Sequence, residues 1–225
     1  MRVQRALPIK LAVTIVALLL FLFSPISTRT SFSRLKPATA TYVLDNQKGK
    51  FIAHAFAGGL LWFKGHDHYL AARDFSGEVE LTPDSITPAS LRLTVKSASL
   101  EETGTVFTEE QKKIINKEVH DIVLLPEKYP EITFQSKRVE KKGKNFLAIG
   151  DFSMHGVTKE IAIPFTVTGK FVNPDNQQMS TGFSANLTIN RRDYGINWKN
   201  PKVPNFVGDL VNIELAILVR TPAPK

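Results

Sequence analysis

The run GHDHY at residues 65–69 brings together side chains that do chemistry, because two imidazoles flank a carboxylate. The chain has 225 residues, only five histidines and no cysteine, so this clustering stands out. On a β-strand, His66 and His68 would share one face, about 6–7 Å apart at roughly 3.3 Å per residue, with Asp67 on the other face. Two imidazoles at that spacing can ligate one metal ion or form an acid–base centre.

Three interpretations of His66 and His68 stay open from the sequence. A zinc site needs at least three protein ligands, and His54 or His120 would have to supply the third. The two histidines can instead be polar residues at a strand end that bond to loop backbone. Between these lies a contact to a ligand head group, in which an imidazole N–H donates to a carbonyl.

A second polar cluster is NRRDYG at residues 190–195. Arg191 and Arg192 beside Asp193 predict a turn with a local ion pair, and Gly195 suits a position with unusual backbone angles. The alternative is that Arg191 turns inward and anchors a head group. The chain has no nucleophile elbow, no glycine-rich phosphate loop and no cysteine nucleophile, so no known catalytic motif supports an enzyme.

The net charge of +8 comes mostly from the first 36 residues, which hold six of the 29 basic residues and no acid. The remainder has 23 basic residues against 21 acidic ones and is nearly neutral. A nucleic-acid-binding domain would carry its positive charge on its body, so the composition argues against that function.

The N-terminal segment is typical of an export signal. A basic stretch, MRVQRALPIK, precedes the apolar run Leu11–Phe23, which is short for a membrane span but suits the hydrophobic region of a signal peptide. Residues 1–40 are therefore predicted to be a signal peptide or, alternatively, an uncleaved anchor in the inner membrane, and residues 41–225 one exported domain. Without cysteine the domain has no disulfide and no lipidation site, which suits a bacterial periplasm.

Alternation of apolar and polar residues with period two dominates the chain after residue 40 and predicts eight or more antiparallel strands. In Phe183–Ile189, for example, every second residue is apolar. The other predicted strands are Thr41–Leu44, Phe51–Phe56, Leu60–Phe63, Phe75–Leu81, Leu91–Val95, Ile132–Phe134, Phe146–Phe152, Ile161–Val167 and Val211–Val219.

One segment, Thr108–Leu125, has helical spacing instead. Ile115, Val119 and Ile122 recur at i, i+4 and i+7, and Thr108 with Gln111 forms a potential capping box. We expect this helix to close one end of the sheet.

Strands with one apolar face bury it in a sandwich or a closed barrel. We place the apolar face inside. The inward set mixes phenylalanines with the small residues Ala53, Ala148, Gly150 and Ala185. Small inward residues can leave a tunnel or only fit the taper of a packed core, and the pattern alone does not decide between them.

Three stretches of the sequence are similar to those of a known family. They are LLPEKYPEITFQS at Leu124–Ser136, GDFSMHGVTKEIAIPF at Gly150–Phe165 and INRRDYGI at Ile189–Ile196. In this order the chain resembles the YceI-like family of exported lipid-binding proteins, over roughly Ala40–Thr221. The chain departs from the family pattern where Asn46 follows the first strand's aspartate, a position at which many relatives carry histidine.

The resemblance implies an all-β fold with one or two short helices, built as an eight-stranded antiparallel lipocalin-like barrel. It also implies an apolar tunnel for an isoprenoid or other long-chain lipid, such as a polyprenyl quinone, with no other cofactor. His66, His68 and Arg191 are then the candidates for head-group contacts. The tunnel candidates are Phe51, Leu91, Leu93, Val95, Phe134, Phe152, Phe165, Phe183 and Leu187.

The leading hypothesis is a non-enzymatic periplasmic carrier of such a lipid. One alternative is a metal-dependent or acid–base enzyme centred on His66 and His68. Another is a structural stress-response module with a packed core.

Overall fold

The computed structural model describes residues 39–58, 65–82, 85–175, 177–197 and 207–221. The predicted signal peptide or anchor lies almost entirely outside these ranges, as does the predicted strand Leu60–Phe63, and both stay predictions together with the domain boundary at residue 41. Within the described ranges, no helix has the length and apolar character that crossing a membrane requires.

Strands form at every described position where the sequence alternates with period two. In the tenth strand, Phe183 and Ile189 are buried whereas Asn186 and Thr188 are exposed, because successive side chains leave opposite faces of the sheet. The described strands are β1 (Ala40–Leu44), β2 (Lys50–Ala57), β3 (His68–Ala72), β4 (Phe75–Thr82), β5 (Ser85–Lys96), β6 (Leu100–Glu102), β7 (Glu131–Lys142), β8 (Asn145–Met154), β9 (Val157–Val172), β10 (Met179–Asn190) and β11 (Val207–Arg220).

The strands close into an antiparallel barrel of eight strands, as predicted. Hydrogen bonds run around the ring β1-β4-β5-β7-β8-β9-β10-β11, and Val43 and Leu44 of β1 pair with Arg220 and Val219 of β11 to complete it. Closure leaves no free sheet edge along this ring.

Three barrel strands are interrupted and continue as β2, β3 and β6. β2 pairs with β11 farther along the same edge as β1, β3 pairs with β2, and β6 pairs with β3. Two of the interruptions lie side by side and are joined by hydrogen bonds. Arg73 N–H donates to Ser99 O at 3.0 Å, and Lys96 N–H donates to Asp74 O at 3.0 Å. One end of the barrel is therefore formed by the short strands β2, β3 and β6, which pair in that order beside β11.

The helix α1 (Glu109–Glu118) covers this end and satisfies the free edge of β6. Asn116 Oδ1 accepts from Glu102 N–H at 2.7 Å, and His120 Nε2 donates to Leu100 O at 2.9 Å. The two helix side chains are four residues apart and so lie one turn apart on the same face. They occupy the positions where the next strand would otherwise bond.

The predicted capping box begins the helix. Thr108 Oγ1 accepts from Gln111 N–H at 3.3 Å, and Gln111 Oε1 accepts from Thr108 N–H at 2.8 Å. The two bonds satisfy backbone donors that the first helical turn leaves free.

The end of the helix differs from the prediction. After Glu118 the chain forms a π-helical turn, Val119–Leu124, which ends at Leu125 with a positive φ of 50°. The expectation that Ile122 shares the buried face is wrong, since its side chain is 43% exposed. The wider turn changes the angular spacing and brings Val123 and Leu124 to the interior instead.

Tight packing at Gly150 of β8 explains one of the small inward residues. A Cβ atom there would lie 2.2 Å from Gln135 O and 2.6 Å from the Cα of Ser136, where β7 carries a bulge. Gly150 therefore permits the close approach of two strands and does not open a tunnel.

Candidate functional site

The interior of the barrel contains an apolar cavity of about 190 Å³ beneath α1, here called the helix-side cavity. Ala53 and Ala55 of β2 line it, and their small side chains leave the space that larger residues would fill. The polar residues of its wall are His68, Glu118 and Arg191. Its apolar wall includes Phe51, Leu70, Val119, Phe152, Val211 and Ile213.

A second apolar cavity of about 60 Å³, here called the far cavity, is lined by residues of the ring strands and by none of α1. Small side chains again provide the space, since Ala148 and Ala185 both line it. Its wall includes Leu91, Leu93, Phe134, Phe165 and Phe183.

A layer of side chains separates the two cavities. Phe134 lines the far cavity and Phe152 the helix-side cavity, and the two are directly opposite on β7 and β8. On β11, Ile213 lines the helix-side cavity and Leu215 lines the far cavity.

The nine residues predicted to line a tunnel are distributed over this interior. Seven line one cavity or the other, but Val95 is buried in packed core and Leu187 is half-buried, and neither reaches a cavity. Leu70, Leu100 and Val123 also line the helix-side cavity but were not among the residues predicted from the sequence. The helical and strand periodicity around them indicated burial, but not which buried side chains face open space.

His68 is held by a buried carboxylate that the sequence analysis missed. Its Nδ1 lies 2.8 Å from Glu102 Oε2, and its ring stacks on Phe107 with centroids 5.2 Å apart. The Glu102 side chain has no exposed surface. Glu102 also accepts from two backbone groups, Tyr69 N–H at 3.1 Å and Gly104 N–H at 2.6 Å, both through Oε1.

The electrostatics of Glu102 favour its charged form. Burial by itself raises the pKa of this carboxyl group, but the hydrogen bonds from His68, Gly104 and Tyr69 outweigh it, and the pKa lies below its usual value. A buried carboxylate that accepts three hydrogen bonds is a satisfied charge.

Asp67 belongs to a different cluster from His68, and it precedes β3 instead of lying on a strand face as predicted. Its Oδ2 lies 2.8 Å from His54 Nε2, and its Oδ1 accepts from Ala57 N–H at 2.8 Å. The bond from Ala57 N–H and the bond to His54 lower the pKa of Asp67. His54 in turn stacks against Tyr69 at 4.2 Å.

The geometry does not assemble a metal site from the histidines. His66 precedes β3, is exposed, and meets the Phe107 ring edge-on at 5.6 Å. The two candidate third ligands are engaged elsewhere, His54 with Asp67 and His120 with a backbone carbonyl. Within the described ranges, no three His, Asp or Glu side chains converge to hold a metal ion.

Arg191 turns inward, the less favoured of the two sequence interpretations. The turn itself is present as the 3-10 segment Arg191–Tyr194, and Gly195 has a φ of 73°. The expected local ion pair is wrong, because Asp193 pairs with Lys159 at 3.5 Å.

Arg191 forms its ion pair with Asp209 instead of Asp193. Arg191 donates to Asp209 Oδ1 at 3.0 Å, to Gly208 O at 3.0 Å and to Ile196 O at 2.7 Å. Burial lowers the pKa of Arg191, and Asp209 opposes that shift. A guanidinium has five N–H groups, and three of those of Arg191 make these bonds.

Comparisons with known proteins agree with this architecture. The family model of the YceI-like domain matches residues 42–219. A UPF0312 protein of Pseudomonas putida (strain GB-1) is 30% identical over 182 residues, which cover 79% of this chain and 85% of the relative.

Two solved structures have a similar fold. BcnA of Burkholderia cenocepacia matches with a TM-score of 0.62 at 21% identity, covering 78% of this chain and 98% of that protein. A polyisoprenoid binding domain from Saccharophagus degradans, implicated in plant cell wall breakdown, matches with a TM-score of 0.57 at 14% identity. That match covers 81% of this chain and 99% of the domain.

Proposed function

The chain belongs to the YceI-like family, and on that premise we propose that it is a carrier protein that binds an isoprenoid-type lipid, such as a polyprenyl quinone. The observation that carries the proposal is the pair of apolar cavities inside a closed barrel, of which the helix-side cavity has the polar residues His68, Glu118 and Arg191 in its wall. The polyisoprenoid binding of the domain from Saccharophagus degradans supports the same class of ligand.

The arrangement suits a ligand with a hydrocarbon tail and a small polar head. The head would lie near His68 and Arg191, and the tail would extend past Phe152 toward the far cavity. Burial of ten methylene groups contributes about 8 kcal/mol at about 0.8 kcal/mol each, before the cost of ordering the ligand is subtracted.

A long tail requires the interior to open further. Cavities that bind drug-sized ligands usually measure about 300–1,000 Å³, and the helix-side cavity of about 190 Å³ is smaller. We infer that Phe134 and Phe152 change rotamer when the tail enters, so that the two cavities join.

We also propose that the protein acts in the periplasm. The basic N-terminus, the apolar run Leu11–Phe23 and the lack of cysteine support export, either with cleavage or with the segment retained as an inner-membrane anchor.

A binding protein is the better proposal than an enzyme. An acid–base or metal-dependent reaction centred on His66 and His68 would need both imidazoles at one reaction site. Only His68 lines the helix-side cavity, whereas His66 is exposed. The stress-response module with a packed core is disfavoured by the open space around Ala53 and Ala185.

Organic extraction of the protein purified from its native host, followed by mass spectrometry, tests the proposal. We expect a co-purifying isoprenoid lipid, and an Ala55→Phe variant should lose it because the new ring fills the helix-side cavity. The matched control is Thr188→Phe, which adds the same ring on the exposed face of β10 and should retain the lipid. Absence of any extracted lipid, together with no binding at micromolar concentration, would refute the carrier function.

A further inference from the structure

The hydrogen-bond geometry around Glu102 determines which nitrogen of His68 carries a proton. Oε1 of Glu102 accepts from two backbone N–H groups, and Oε2 lies 2.8 Å from His68 Nδ1. An ionised carboxylate only accepts hydrogen bonds, so Nδ1 must be the protonated nitrogen. In a neutral imidazole the other nitrogen, Nε2, then carries a lone pair and can only accept.

Nε2 of His68 is available to a ligand. The ring lines the helix-side cavity, and among the described residues no donor bonds to Nε2. Stacking on Phe107, with an angle of 9° between the rings, and the bond to Glu102 both hold the ring in place. The wall of the cavity thus presents a hydrogen-bond acceptor in a fixed position.

We propose that His68 selects lipids whose head group carries a hydroxyl, such as a prenyl alcohol or a hydroquinone, over lipids with a carbonyl at the same place. A hydroxyl donates to Nε2, whereas a carbonyl oxygen would face the lone pair without a hydrogen bond. This inference rests on the proposed function and reverses the expectation that the imidazole donates to a quinone carbonyl. Glu102 is the positioning residue, because it acts only through His68.

The other titratable groups at the helix-side cavity do not provide this discrimination. Arg191 donates equally well to a hydroxyl or a carbonyl oxygen. Glu118 accepts as His68 does, but it is on α1, and no described contact fixes its carboxylate. His66 meets the Phe107 ring edge-on and Asp67 bonds to His54, and neither residue lines the cavity.

The substitution Glu102→Gln should remove the selection. The two backbone N–H groups of Tyr69 and Gly104 retain the amide oxygen at the position of Oε1, which places the amide NH₂ group against His68 Nδ1. An NH₂ group donates, so Nδ1 must accept and the ring proton moves to Nε2. Nε2 then donates to a carbonyl or a hydroxyl oxygen alike.

The test measures the affinity of two probes with the same tail, a prenyl ketone and the secondary alcohol obtained by reducing it. The measurement is made at about pH 8.5, where an ordinary imidazole is neutral. One hydrogen bond predicts about a five- to tenfold tighter binding of the alcohol by the unsubstituted protein. Glu102→Gln should bind the two probes about equally, because its Nε2–H donates to a hydroxyl oxygen as well as to a carbonyl oxygen. His68→Phe, which retains the ring stacked on Phe107, should bind both probes equally.

Nuclear magnetic resonance provides a readout that does not need a ligand. The ¹⁵N chemical shifts of the His68 ring nitrogens, assigned by comparison with His68→Phe, should report protonated Nδ1 in the unsubstituted protein and protonated Nε2 in Glu102→Gln. Equal affinity of the unsubstituted protein for ketone and alcohol, or an unchanged tautomer in Glu102→Gln, would overturn the inference while leaving lipid binding intact. Binding of neither probe would overturn the proposed function itself.

Discussion

At the scale of single residues, the two histidines of the GHDH run have different surroundings and different uses. His66 is an exposed side chain against the edge of Phe107, whereas His68 is bonded to a carboxylate with no exposed surface. Its partner, Glu102, follows another glutamate in a short strand, and nothing in that local sequence distinguishes the buried residue from the exposed one. The pairing follows from the bend that brings β6 beside β3, which is a long-range contact.

The charge of Glu102 contributes stability that depends on pH. Because its pKa in the folded protein is below the usual value of about 4.5, this contribution is present above that pH and is lost as the pH falls through the folded value. We expect Glu102→Gln to lower the free energy of unfolding at pH 7 by about 1–2 kcal/mol through the loss of charge-assisted hydrogen bonds. The difference from the unsubstituted protein should narrow below about pH 4.5.

Urea unfolding at a series of pH values between neutrality and acid measures this difference. The matched control is Glu101→Gln, since Glu101 is half exposed and pairs with Arg73 at 3.3 Å on the surface. It should change the free energy of unfolding by less than about 0.5 kcal/mol. Identical pH profiles for the two variants would contradict the stabilising role of Glu102.

At the scale of elements, α1 and the turn that follows it form hydrogen bonds with the edge of β6, where a neighbouring strand would otherwise pair. The buried contacts of the helix are few, and no residue of α1 itself is fully buried. Asn116 and His120 instead supply the hydrogen bonds that a neighbouring strand would supply. The capping box was predictable because Thr108 and Gln111 are close in sequence, but the bonds to β6 were not, since they depend on how the helix docks.

Replacement of Asn116 by alanine should expose this role. The substitution leaves the Glu102 N–H without its acceptor, which costs about 1–3 kcal/mol, and the higher helix propensity of alanine returns a few tenths. We expect a net loss of about 1 kcal/mol in the free energy of unfolding and faster amide hydrogen exchange at Glu102. Lys113→Ala, on the exposed side of the same helix, should leave both quantities unchanged, and equal exchange rates at Glu102 in the two variants would refute the edge-capping role.

At the scale of the whole molecule, alternation predicted antiparallel strands with one buried face, and the resemblance to the YceI-like family implied that they close into a barrel. Phe183 and Ile189 are buried as the pattern requires. The interrupted strands were not predictable, because the breaks at Asp45–Gly49 and Arg73–Asp74 have the composition of ordinary turns. Open space was not predictable either, since Ala185 lines a cavity whereas Gly150, equally small, only lets two strands approach.

The same small-to-large substitution in the two cavities should separate binding of the head-group end from binding of the tail. Ala53→Leu fills space in the helix-side cavity and should weaken the binding of prenyl alcohols of every length. Ala185→Leu fills the far cavity, so it should weaken only the alcohols whose tails extend past Phe134 and Phe152. Each methylene excluded should reduce the binding free energy by about 0.8 kcal/mol, and the expected result for Ala185→Leu is an affinity that stops rising at a shorter chain than in the unsubstituted protein.

Titration of the three proteins with prenyl alcohols of increasing length measures that plateau. If both variants weakened short and long alcohols equally, the tail would not run from the helix-side cavity into the far cavity.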